Sequence, residues 1–99
     1  MRLRLTVVPT AQRHIRAASR WWLDNRPAAQ ELFHDELARA FEFITTQPDV
    51  APSAPDVGSL GVRRFYLSRI GYHLYHRHRS DVVEVLAPWH SSRGSGPEL

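Results

Sequence analysis

The residues best suited to chemistry are Arg63, Arg64, Arg69, Arg77, His90 and Arg93, crowded into the last third of the chain with His73, His76 and His78 among them. Arginine presents a planar, permanently charged fork that fits phosphate or carboxylate. A histidine beside such groups can transfer a proton while they hold a phosphodiester and offset developing negative charge. Neighbouring strands stand ~4.8 Å apart, so side chains on one sheet face converge. Arg64 and His90 are expected to share such a face, with His73 or Arg77 between them. The competing reading of the same residues is solvated polar surface, and the residues alone favour it.

Other chemistries find little support. His76 and His78 fall two apart, on one face of a strand, but no carboxylate partner stands at ligand spacing, so no metal site is expected. The chain has no cysteine, which excludes disulfides, thiolate metal sites and thiol nucleophiles. No glycine-rich phosphate loop follows a strand, and no serine sits in a nucleophile elbow. No cofactor is implied.

The elements that must position these residues follow from periodicity. Leu3, Leu5 and Val7 alternate with Arg2, Arg4 and Thr6, which predicts a half-buried strand. Thr10 is the expected N-cap of a first helix, whose stripe is Ala11, Ile15, Ala18 and Trp22. Asn25-Arg26-Pro27 breaks it, and Pro27 suits the first turn of a second helix running to about Thr46. That helix carries the stripe Ala29, Phe33, Leu37, Ala40 and Ile44, with Glu31 and Asp35 near the positive end of its dipole. Pro48 stops it, and residues 48–61 read as a loop.

Three strand-like runs follow: Val62–Leu67, Tyr72–Arg79 and one from Val82 to His90. In the second, Tyr72, Leu74, His76 and His78 share a face opposite His73, Tyr75, Arg77 and Arg79. In the third, Val83, Val85, Ala87 and Trp89 are expected to face one way, and Val82, Glu84, Leu86 and His90 the other. Short connections make an antiparallel meander. The order β-α-α-β-β-β gives an α+β fold, with a helical hairpin packed on a small, mainly antiparallel sheet. The 99 residues are read as one domain, with 94–99 as a frayed tail.

Charge is segregated. All thirteen basic residues are arginine, and two arginine-rich segments flank an acidic one, for a net charge of +3. Such a field attracts nucleic acid or an acidic partner, unless the segments neutralise each other in the fold. No apolar run approaches the ~20 residues that cross a bilayer, and the N-terminus lacks a signal-peptide pattern, so a cytoplasmic protein without a membrane partner is expected.

The ordered set GVRRFYLSRIGYHLYHR, HRSDVVEVLAPWHSSRG and, upstream, PTAQRHIRAASRWWLDNRPAAQELF resembles the RelE/ParE superfamily of bacterial toxins over roughly residues 3–94. The resemblance implies the toxin of a type II toxin–antitoxin pair, neutralised by a cognate antitoxin protein. It implies one of two targets, DNA gyrase for ParE-like members or the ribosome and its mRNA for RelE-like nucleases. For a nuclease, His90 and Arg93 match the family's end-of-strand histidine and C-terminal arginine, and Arg64 and His73 complete the catalytic set; Arg63, Arg69 and Arg77 would bind target or phosphate. His73, however, stands where nuclease members carry arginine, and the chain has no lysine. The Asn-x-Pro-Ala-Ala break and Trp21-Trp22 are closer to the ParE branch, which is the favoured reading; an inactive, toxin-derived binding module is a third. Antitoxin anchors are expected at Trp21, Trp22 and Phe33.

Overall fold

The computed structural model describes residues 2–54, 57 and 61–99. Its elements are β1 (Arg4–Val7), α1 (Pro9–Asn25), a 3-10 turn (Pro27–Ala29), α2 (Gln30–Thr46), β2 (Val62–Leu67), β3 (Tyr72–Arg79) and β4 (Val82–His90). Part of the expected 48–61 loop, residues 55–56 and 58–60, lies outside the described residues.

Each boundary has a local cause. Helix α1 begins one residue before Thr10. Pro9 takes the first helical position, where its missing N–H costs nothing, and Val8 occupies the N-cap with no side-chain cap. Thr10 is therefore inside the helix rather than its cap. At the other end the Asn25 side chain donates to the Trp21 carbonyl at 2.9 Å, and Pro27 forbids continuation. Pro27 starts a 3-10 turn before α2 rather than α2 itself. Ser19 and His34 link the two helices at 3.1 Å.

The sheet runs β1-β4-β3-β2. Strands β2, β3 and β4 form the antiparallel meander, and β1, whose place was open from sequence, pairs parallel with β4 from Arg4 opposite Val82 to Val7 opposite Val85. Both helices cover one face. Phe33, Leu37, Ala40 and Ile44 of α2 and Ala11 and Ala18 of α1 pack there on Leu67, Leu74, Val83 and Val85. A smaller apolar cluster lies on the other face, around Val62, Tyr75 and Ala87, with Ala54 from the loop and Leu86 and Trp89 beside it. Residues 94–99 lie beside the end of β4. The Trp89 indole donates to the Ser95 carbonyl at 2.7 Å, and Pro97 is buried.

One irregularity governs everything downstream. Opposite Tyr75 stands Ala87, and opposite His76 stands Val85, so Leu86 has no partner. This is a β-bulge, in which one extra residue shifts the alternation of side chains beyond it. Val83 and Val85 face the helices, Leu86 and Ala87 both face away, and Pro88 turns back toward α1. The unbroken alternation expected along β4 fails at this point.

The loop between β3 and β4 is Ser80-Asp81, closed by Arg79 opposite Val82. Ser80 has φ of 55°, a left-handed conformation that favours glycine. Ser80→Gly should therefore stabilise the fold by about 0.5–1 kcal/mol and raise the thermal midpoint by a few degrees. Calorimetry checks this, and an unchanged or lower midpoint counts against the turn geometry.

His76 is wholly buried in β3. Its Nδ1 lies 3.1 Å from the Leu74 carbonyl, which can only accept, so the ring hydrogen sits on Nδ1. Burial lowers its pKa from the ordinary 6.5, and the Arg63 charge pushes the same way, against the Leu74 hydrogen bond and Asp49. The unfolded chain takes up this proton near pH 6.5 while the folded chain refuses it. Stability is thus lost as pH falls below about 6.5, down through the folded pKa. Urea titrations between about pH 7 and 5 should show a shallower loss for His76→Leu than for the parent; equal slopes would assign the loss to other groups.

Candidate functional site

The bulge divides the arginines and histidines of the sheet between its two faces. On the face away from the helices, Tyr66 stands opposite His73, their rings 4.8 Å apart, and Arg64 stands opposite Tyr75. On the helix side, His90 stands opposite Tyr72, their rings 5.0 Å apart, and Tyr72 meets Phe33 of α2 at 5.9 Å. Arg64 and His90 therefore do not share a face. The expectation that they would rested on an alternation that Leu86 interrupts.

Two further expected phosphate ligands are engaged within the fold. Arg77 Nε and Nη2 both donate to Glu84 Oε1, at 3.2 and 3.1 Å. Arg63 Nη1 donates to the Ala51 carbonyl at 2.7 Å and lies 4.0 Å from Asp49, strapping the loop to the sheet. Arg2 pairs with Glu42 and Arg4 with Asp81, so the acidic middle segment and the turn partly neutralise the basic ones. Such exposed pairs contribute little stability. The Arg4 hydrogen bond and charge do hold the Asp81 carboxyl below its usual range.

What the fold does bring together is a cleft at the end of the sheet, under the last turns of α1. Its volume is about 470 Å³, and it is lined by Trp21, Trp22, Arg26, Arg69, Ile70, Tyr72, His90 and Ser92. A second hollow of about 240 Å³ shares Trp21, Tyr72 and His90 and adds His14 and Arg93. Arg93 lies 3.9 Å over the Trp89 ring, a cation–π contact. No carboxylate lines either hollow, and among the described residues neither Arg26 nor Arg69 has an acidic partner.

Local structure sets the parts of this cleft. Gly71, at φ +74°, closes the β2–β3 turn, and its carbonyl accepts from the Ser91 amide at 2.8 Å. A Cβ there would stand 3.5 Å from His90 Nε2, an ordinary contact, so it is the positive φ rather than lack of space that calls for glycine. His90 Nδ1 accepts from the Ser92 amide at 3.2 Å and lies 2.7 Å from Ser92 Oγ. The ring hydrogen consequently belongs on Nε2. Burial raises the Tyr72 phenol above its ordinary pKa, against the effects of the Trp22 indole and the Arg93 charge.

The expected antitoxin anchors separate in the same way. Phe33 is 1% exposed and belongs to the core, stacked on Trp22 with centroids 6.1 Å apart. It is corrected from surface anchor to core residue, because its position on the α2 stripe faces the sheet. Trp22 is half-buried between Phe33 and the cleft, whereas Trp21 is 49% exposed. Arg26 stands in the helix break, and its one sequence signal is a cation at the mouth of a helical hairpin.

A family model described as "ParE toxin of type II toxin-antitoxin system, parDE" matches residues 5–94. The chain belongs to the ParE toxin family. No curated protein matches it in sequence. Among solved structures, a chain of the chromosomal ParDE TA system from P. aeruginosa superposes with a TM-score of 0.73, over 89% of this chain and 95% of that one. The two share 13% identity, so this likeness concerns the fold. ParE membership agrees with the β-α-α-β-β-β order and with the branch favoured from the Asn-x-Pro-Ala-Ala break.

Proposed function

We propose that this ParE-family toxin arrests growth by inhibiting DNA gyrase, and that a cognate antitoxin neutralises it by covering its surface. The observation that carries the reading over mRNA cleavage is the split of the nuclease-like residues: Arg64 and His73 lie on one sheet face, His90 on the other, and Arg77 is held by Glu84. General acid–base catalysis needs its donor and its charge clamp within hydrogen-bond reach of one bond. Arg64 and Arg69 are then target-binding rather than catalytic groups, and Trp21 is the exposed aromatic anchor for the antitoxin. Among the described residues no helix is long and apolar enough to cross a membrane. The protein is read as one domain acting in the cytoplasm.

The test uses purified gyrase and the full chain. Supercoiling should fall in proportion to added toxin, while toeprinting on translating ribosomes should reveal no new cleavage. His90→Ala should keep growth arrest within about threefold of the parent, because the side chain performs no proton transfer in this reading. Loss of arrest in a variant whose circular dichroism is unchanged would instead support the nuclease.

A further inference from the structure

The cleft beneath α1 has a composition that the fold does not require. Its polar lining contains Arg26 from the helix junction, Arg69 from the β2–β3 turn, and His90 with Ser92 from the end of β4. Three separate segments thus bring two guanidinium groups and an imidazole to one hollow. Both arginines are solvent-exposed, so their charges are accessible to a ligand in the hollow. Here the described lining supplies no acid to offset them. Among the described residues neither arginine makes an ion pair, unlike Arg63 or Arg77.

The remaining lining is aromatic. Trp21 meets Trp22 edge-on, with centroids 5.9 Å apart at 74°, and keeps 49% of its surface exposed. Trp22 is stacked on Phe33, and Tyr72 is set edge-on to both Phe33 and His90, which makes this wall stiff. A flat, rigid, partly exposed ring next to uncompensated cations suits a ligand with a planar base and an anionic group. A volume of about 470 Å³ suits a ligand of that size.

We propose that this cleft binds a nucleoside monophosphate, with the base against Trp21 and the phosphate between Arg26 and Arg69. A phosphate dianion matches two guanidinium forks better than a single carboxylate does, since each fork can donate two parallel hydrogen bonds. His90 Nε2–H is a further donor, fixed in that tautomer by Ser92. Stacking of a base on an aromatic ring is tolerant of base identity, so the site discriminates by phosphate and ring together rather than by sequence. The site lies on the helix side of the sheet, away from Arg64, and does not depend on the identity of the toxin's target.

Isothermal titration calorimetry of the full chain with adenosine 5′-monophosphate tests the proposal. Saturable one-to-one binding is expected. Adenosine, which lacks the phosphate, and inorganic phosphate, which lacks the ring, should each bind at least tenfold more weakly. The double variant Arg26→Ala, Arg69→Ala should lose at least tenfold in affinity, and Trp21→Ala several-fold, with circular dichroism unchanged in both. All three positions are exposed, and Arg69→Lys offers a milder substitution if the double variant misfolds, with an intermediate affinity expected. Absence of saturable binding, phosphate binding as tightly as the nucleotide, or variants that bind like the parent would each overturn it. The supercoiling assay is a separate readout, so either proposal can fail alone.

Discussion

Replacing Phe33 by alanine is expected to remove about 3–5 kcal/mol of stability. A chain of this size holds roughly 5–15 kcal/mol in total, so the variant would sit near the edge of folding. The magnitude follows from the surroundings. Phe33 is 1% exposed and touches Trp22, Tyr72 and His34 through ring contacts, so truncation opens a cavity that stiff aromatic neighbours cannot close. Urea denaturation followed by circular dichroism gives the number. Trp21→Ala is the control, since an exposed ring should cost no more than about 1 kcal/mol. A loss below about 1 kcal/mol for Phe33→Ala would place the core elsewhere.

Inserting one alanine between Ala87 and Pro88 should be still more disruptive, at more than about 3 kcal/mol. Deleting the half-buried Leu86, or truncating it to alanine, should each cost only about 1–2 kcal/mol. The contrast arises from alternation. Without Leu86 the strand becomes regular, and Ala87, Pro88, Trp89 and His90 keep the faces they already have. An inserted residue instead turns Pro88, Trp89 and His90 each to the opposite face. Trp89 would be driven against α1, and His90 would move to the face that carries His73. If insertion and deletion cost the same, the alternation carries no structural weight.

The bulge also explains what was legible in the sequence and what was not. The helical stripes could be read, because Ala11, Ala18, Phe33, Leu37, Ala40 and Ile44 recur at helical spacing and all are buried. So could the meander, because Arg69-Ile70-Gly71 and Ser80-Asp81 mark its turns. The family could be recognised from the ordered residues along that meander. The candidate site could not be read, since Val83, Val85, Ala87 and Trp89 alternate without a flaw in the sequence. Only pairing with β3 reveals that Ala87 belongs to the other face. A buried Pro88 in the run Val85-Leu86-Ala87-Pro88 was the available hint, because proline weakens a regular ladder and favours bulges. Arg63 and Arg77 looked like ligands because their partners, Ala51 and Glu84, are brought to them only by the folded loop and the neighbouring strand.

The parallel pairing of β1 with β4 has a consequence during synthesis. The first strand is made early, yet the backbone it binds, from Val82 to Val85, is made late. Contacts this distant in sequence slow folding, and an unpaired strand is exposed until its neighbour exists. The nascent chain can form its helical hairpin but has no sheet on which to lay it. A chain built this way completes its sheet only once β4, the strand on which β1 must lie, has been delivered.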